Sequence, residues 1–327
     1  TYYPDANSEA QAKVVEVSEG NESTGIDITV GGLKRNFDVA GRATYVETGQ
    51  PAIGVEIQYG SMNSSGKSIG ASASMGERTN SAGEFRLQSI LPGKYAVFAQ
   101  PEKNDESYSE AVPFEINDAD VNGVELKLRR GASISGTAVL EGVADPTISA
   151  KLSQLQLSAY VASQELSSPR AGNVTIAANG SFRFNGLRAG KAIISISYDS
   201  AGRGFSIIRI ERGGALSNDS LDVGAGEQLT GVRVVLGYGT GVVRGQLKTI
   251  GVGLPETVRP FVKARRIDSG LVIGNEASID ASGLFRMENL PPGEYEIYLG
   301  SYYRSDEPPP GYEELNDKLK TVKRRIA

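Results

Sequence analysis

Apolar and polar residues alternate along most of this chain in short runs bounded by glycine and proline. The stretches FDVAGRATYV from Phe37, ASISGTAVLEG from Ala132, VNGVELKL around Gly123 and LTGVRVVL around Gly231 place Val, Ile, Leu or Phe at nearly every second position. A period of two sends alternate side chains to opposite faces of an extended backbone, so these runs predict half-buried β-strands. Helical spacing is scarce. It occurs in GYEELNDKLK, residues 311–320, where Tyr312, Leu315 and Leu319 recur behind a proline-rich start. The pattern predicts an all-β chain with one short helical insertion.

Comparison of the chain with itself reveals a repeat. Three segments align without gaps: SAGEFRLQSILPGKYAVFA from Ser81, ANGSFRFNGLRAGKAIISI from Ala178 and ASGLFRMENLPPGEYEIYL from Ala281. In each, a glycine (Gly83, Gly180, Gly283) stands two residues before a phenylalanine (Phe85, Phe182, Phe285), and a second glycine (Gly93, Gly190, Gly293) lies ten residues after the first. A glycine free to take positive φ, an alternating strand, a closing turn and a returning alternation read as a β-hairpin. Each copy follows an opening strand that contains a glycine, and the first two end in a closing strand after Gly123 and Gly231. Equivalent glycines lie 95 to 109 residues apart, the length of one immunoglobulin-sized sandwich.

The two ends of the chain break this scheme in complementary ways. Residues 25–30, GIDITV, read as a closing strand with no hairpin before them. After the third hairpin, TVKRRI corresponds to KVVEV at residues 13–17, and nothing corresponds to GIDITV. The expected organisation is a strand-bearing segment at 1–35, either a preceding repeat's end or a donor strand, then sandwiches at 36–130, 131–237 and 238–327. The last of these is expected to lack its final strand. A closing strand buries three side chains, Val124, Leu126 and Leu128 in the first copy. That burial contributes roughly 5–9 kcal/mol, comparable with the stability of a whole domain. An unfilled place for it is therefore expected to attract a strand.

The repeated signature N/S-x-G-x-F-x-[LFM]-x-x-[IL]-x-P/A-G-x-Y, behind an opening [VI]-x-G, resembles the carboxypeptidase regulatory-like repeats. These are transthyretin-like (prealbumin-like) β-sandwiches related to the collagen-adhesin B-type domains of bacterial surface proteins. The resemblance covers residues 36–327 in three copies and the tail of a fourth at 1–35; the middle copy departs from it at Ala189 and Ala192. It implies a tandem array of immunoglobulin- or transthyretin-like Greek-key sandwiches with spacer, adhesive or scaffolding roles and no catalysis, secreted or on the cell surface. Some related domains carry an internal Lys–Asn isopeptide bond. Here the opening strands place no Lys in line and the closing strands no Asn after their glycine, so no such bond is expected.

Composition narrows the chemistry. The 327 residues carry 34 Lys+Arg against 39 Asp+Glu, a net charge of −5 without long runs of one sign, which disfavours nucleic acid and anionic membranes as partners. Cysteine, histidine and tryptophan are absent, removing thiol nucleophiles, disulfides, the commonest general base and the usual zinc ligands. No enzyme, cofactor or metal is expected, and no apolar run approaches the roughly 18 residues of a membrane-spanning helix. Asp118, Asp120, Asn122 and Gly123 open like a calcium loop, but its twelfth position falls on Arg129, so a solvated turn is expected. The Ser/Gly-rich residues 61–81 read as a long loop or weak surface strand. Tyr2, Tyr3, Tyr295, Tyr298, Tyr302, Tyr303 and Tyr312 are expected to cap a core, with sugar stacking the lesser alternative. Candidate glycosylation triplets start at Asn21, Asn63, Asn173, Asn179 and Asn218.

The functional expectation is a non-catalytic extracellular subunit of a head-to-tail homopolymer. Ile26, Ile28 and Val30 of one copy would complete the C-terminal sandwich of the next. The alternative is a piece of a long repeat protein acting as a spacer, an adhesin or a binder of surface glycans.

Overall fold

The computed structural model describes residues 3–4, 12–17, 19–27, 35–62, 72–100, 106–161, 170–197, 201–217, 220–249, 254–255, 257–303, 309 and 311–326. Among them the chain is all-β, with six sheets that follow one another in pairs. Strands β1 (Phe37–Tyr45), β2 (Glu56–Ser61), β3 (Ser72–Arg78), β4 (Glu84–Ile90), β5 (Gly93–Gln100), β6 (Ser107–Ser109), β7 (Val112–Ile116) and β8 (Val121–Arg130) make two sheets, ordered β4-β1-β8-β6 and β3-β2-β5-β7. Next come β9 (Ala132–Leu140), a short helix α1 (Pro146–Ser149), β10 (Gln156–Val161), β11 (Arg170–Thr175), β12 (Ser181–Leu187), β13 (Gly190–Ile196), β14 (Phe205–Arg212), β15 (Ala215–Ser217), β16 (Leu221–Val223) and β17 (Gln228–Tyr238). Their sheets are β12-β9-β17-β14-β15 and β11-β10-β13-β16.

The last pair is smaller. It holds β18 (Gly241–Gln246), β19 (Val258–Arg266), β20 (Val272–Ser278), β21 (Leu284–Leu290), β22 (Tyr295–Tyr303), helix α2 (Tyr312–Thr321) and β23 (Lys323–Ile326). Among the described residues the sheets are β20-β19-β22-β23 and a two-stranded ribbon, β18-β21.

Alternation sends one face of each sheet inward. In the first pair Val39, Leu87 and Leu126 from one sheet meet Ile57, Val97 and Ile116 from the other in one buried cluster. The second and third pairs share a single continuous cluster. The segment expected to be a loop or weak strand at 61–81 contributes β3, an edge strand of its sheet. The helical insertion forms as α2, with Tyr312 and Leu319 buried against β22.

The repeated hairpin is corrected. Gly83, Gly180 and Gly283 take φ of 76°, 82° and 80°. The strand that starts beside each, carrying Phe85, Phe182 or Phe285, nevertheless does not pair with the strand starting at Gly93, Gly190 or close to Gly293. β4 lies in one sheet and β5 in the other, as do β12 and β13, and β21 and β22. The chain turns a corner between sheets. Ser89, Gly186 and Asn289, six residues after the turn glycine, hold φ of 59°, 65° and 60° and swing the backbone out of its sheet. Pro92 in the first copy lacks the N–H needed to continue a ladder. Tyr95 Oη closes that corner by donating to Leu91 O at 2.8 Å, and Tyr295 Oη does the same to Pro291 O. This is the reason for the G-x-Y of the repeat.

The linkers between pairs are short and tightly seated. Gly131 N donates to Glu106 O at 2.6 Å, and a Cβ on Gly131 would come within 2.6 Å of the Gly186 backbone. Arg188, buried at this joint, donates to Ser109 O at 2.6 Å and pairs with Glu110 at 3.0 Å. At the second joint a Cβ on Gly239 would lie 2.2 Å from Leu290 C. In both, the linker glycine presses on the corner of the following pair of sheets.

Charged pairs tie β14 to its neighbours. Glu211 accepts from Arg233 at 2.7 Å and from Arg209, which also reaches Glu141 at 2.6 Å. Hydrogen bonding to Arg209 is the main cause holding the Glu141 and Glu211 carboxyls below the usual range. A carboxyl whose folded pKa is lowered contributes stability above its unfolded pKa and loses it as pH falls through the folded value. The melting midpoint of this region is therefore expected to drop as pH falls below about 4.3, the ordinary Glu value. Calorimetry should show that Glu211→Gln flattens this dependence.

Candidate functional site: an open edge beside β18

In the first two pairs of sheets the opening strand sits between two neighbours. β1 pairs antiparallel with β4 on one side and parallel with β8 on the other. β9 likewise stands between β12 and β17. The register is the same: Gly41 faces Val124 and Ala43 faces Leu126, while Gly136 faces Val232 and Ala138 faces Val234. β18 pairs with β21 alone, so among the described residues its second edge has no partner.

Burial follows from that missing neighbour. Val39, Ile134, Ala43 and Ala138 are fully buried, whereas Val243 and Leu247, at the equivalent positions around Gly245, are only partly covered. Phe85 and Phe182 are 4% and 5% exposed, while Phe285 is half-buried. A cleft of about 600 Å³ opens here, lined by Val243, Leu247, Phe285, Ile297, Leu299 and Ile326. A second cleft of about 400 Å³ continues past Ile326 towards the joint, between Val242, Leu290 and Pro291. Arg244, Lys323 and Arg324 stand on the rim. An apolar trough along an unpaired strand edge accepts a further strand: main-chain groups supply hydrogen bonds, and alternate side chains fill the trough.

β23 does not fill this place. It pairs antiparallel with β22 on the opposite sheet, with Ile326 beside Tyr295, as Phe114 of β7 stands beside Tyr95. Within TVKRRI, β23 thus pairs as β7 does in the first pair of sheets.

The structure does not bring the candidate donor strand to this edge. Ile26 is 40% exposed and outside any strand; Ile28 and Val30 lie outside the described residues. Val14 and Val17 are also bare, at 84% and 69% exposure. Gly25 nevertheless holds φ of 74°, matching Gly123 at 79° and Gly231 at 73°, the glycines that begin the two buried closing runs.

The other candidates have local roles. Asp120 Oδ1 accepts from Asp38 N at 3.0 Å, and Asp38 in turn binds Arg86 at 2.8 Å, whose hydrogen bond is the largest cause lowering its pKa. Among the described residues no three acidic side chains stand together as a metal site. Tyr303 packs edge-on against Tyr312 at 4.7 Å, and Tyr312 Oη donates to Ser301 O at 2.7 Å, so these rings bind helix to sheet. Asn21 is exposed and Asn173 lies within β11. Asn179 Oδ1 accepts from Ser181 N at 3.0 Å in its turn. Asn63 and Asn218 fall outside the described residues. Among the described residues no helix is long and apolar enough to cross a membrane.

Reading the sequence missed the parallel pairing, and with it the open edge as a concrete surface. Across that pairing the apolar residue two positions before the closing glycine, Val121 or Leu229, faces Val39 or Ile134.

No family model matches the chain, and no curated protein matches it. Solved structures show weak likenesses. The TIE protein of Bacillus anthracis is 12% identical, with 83% of this chain and 46% of that one covered at a TM-score of 0.24. The minor pilin GBS52 of Streptococcus agalactiae is 14% identical over 67% of this chain and 100% of that one, at 0.26. The major pilin subunit BcpA of Bacillus cereus is 12% identical over 90% and 96%, at 0.22. This chain thus spans less than half the length of the TIE protein.

Proposed function

We propose that the chain is a non-catalytic structural rod of tandem sandwiches, at 36–130, 131–237 and 238–327, that acts outside a bacterial cell. It extends end to end when a strand from a second copy enters the open edge of the third sandwich. The observation that carries this reading is the unpaired edge of β18, where β1 and β9 each have a parallel strand. A contact that joins the front of one copy to the back of the next does not close on itself and so propagates as a filament. The short, glycine-pressed linkers support stiffness along the rod. The residue-level resemblance to carboxypeptidase regulatory-like repeats agrees with this role.

A second reading is a spacer within a longer array. It is favoured by Val14 and Val17, which donation of a single strand leaves bare. Sedimentation and negative-stain imaging across a concentration series separate the two. Filaments that lengthen with concentration are expected, and Ile28→Asp should abolish them. A monodisperse monomer at every concentration would overturn the filament reading and leave the spacer.

A further inference from the structure

Resting on the strand-accepting reading above, we infer that the occupant is residues 23–30 of a second copy, entering parallel to β18 with Ile26 opposite Gly245. Three observations converge on this register.

The first is pattern. In β8 the residues Gly123, Val124, Leu126 and Leu128 place a glycine before three inward side chains, and in β17 Gly231, Val232, Val234 and Leu236 repeat it. Gly25, Ile26, Ile28 and Val30 have the same spacing. Since Gly41 faces Val124 and Gly136 faces Val232, Gly245 takes Ile26, and Leu247 takes Ile28. Asp27 then comes opposite Gln246 and diagonal to Arg244, a favourable charge placement on the solvent face.

The second is backbone conformation. The parallel ladders shift register between Val121 and Val124, and between Leu229 and Val232, on either side of the closing glycines Gly123 and Gly231. The extra residue at each is a glycine at positive φ, and nothing lies within 4 Å of a Cβ at Gly123 or Gly231, so φ rather than space favours glycine there. Gly25 already holds this conformation away from any partner. At Gly25 the backbone already has the conformation that the edge requires.

The third is the distance to the next sandwich. Gly123 precedes Gly136 by 13 residues, Gly231 precedes Gly245 by 14, and Gly25 precedes Gly41 by 16. A strand donated from Gly25 would therefore lead into β1 much as β8 leads into β9 and β17 into β18. The joint between subunits reproduces the joints within one.

The chain has no cysteine, so engineered pairs report cleanly. The 327-residue chain carrying Asp27→Cys and Gln246→Cys, oxidised in solution, is expected to give thiol-reversible multimers of two, three and more copies. Directly opposed strand positions meet disulfide geometry. Mixing the two single variants should give a cross-linked dimer and nothing larger. Ser23→Cys with Gln246→Cys, four residues out of register, should cross-link at least tenfold less, and adding Gly25→Val to the first pair should lower its yield at least tenfold. Preferential cross-linking of the Ser23 pair would overturn the register while leaving strand addition standing. Polymers that form by sedimentation but cross-link at neither pair would overturn this segment as the occupant. A disulfide confined to monomers would overturn the second copy as its source. Absence of both polymers and cross-links, with unfolding curves unchanged, would overturn this inference and the filament reading together.

Discussion

Gly136→Ala is expected to destabilise the second sandwich by about 3 kcal/mol, while Gly245→Ala at the equivalent position of the third costs less than about 1 kcal/mol. A Cβ on Gly136 would stand 1.7 Å from Val232 O, backbone of the adjoining strand, so β9 and β17 must separate to admit it. Gly41 has the same problem, with Val124 O at 2.3 Å. Beside Gly245 the nearest atoms are those of the Phe285 ring, at 2.4 Å, and that half-buried ring can swing into the open trough. Hydrogen exchange read strand by strand in rising urea measures both effects in one protein. Gly245→Ala has a second expected consequence: its methyl would stand where the carbonyl of an incoming strand must pass, so subunits stay folded but stop assembling. Equal destabilisation at Gly136 and Gly245 would mean that the edge of β18 is already occupied.

The three repeat phenylalanines should separate in the same way. Phe85→Ala and Phe182→Ala each remove a buried ring and are expected to cost about 3–5 kcal/mol. Phe285→Ala is expected to cost about 2 kcal/mol in the lone chain, since water already covers part of that ring. Once a strand fills the trough the ring is enclosed, and the penalty should rise towards that of the other two. Denaturation of each variant below and above the concentration at which filaments appear gives both numbers. A full penalty for Phe285→Ala in the dilute monomer would place that ring in a closed core and remove the case for a groove.

The period-two runs, the gapless alignment of Phe85, Phe182 and Phe285 and the helix at Tyr312 were all legible from residues alone, because each depends on near neighbours in the chain. The corner was not. Sequence places Phe85 and Gly93 on two strands joined by a short turn, and a hairpin is the common solution. Positive φ at Ser89 and Asn289, which are not glycines, is what sends the second strand to the other sheet. The candidate edge shows only in the pairing, where among the described residues β18 has β21 as its one neighbour.

By itself the sequence determined that the chain is β and that it repeats a glycine–phenylalanine phrase, since alternation and glycine placement are local properties. Only the tertiary structure decided that β8 and β17 run parallel to β1 and β9, strands nearly a whole sandwich earlier in the chain. Pairing across that separation is set by which edges the folded sheets leave open, and no local pattern carries that information. By comparison with that pairing, β18 shows, among the described residues, an unpaired backbone edge beside the half-covered Phe285.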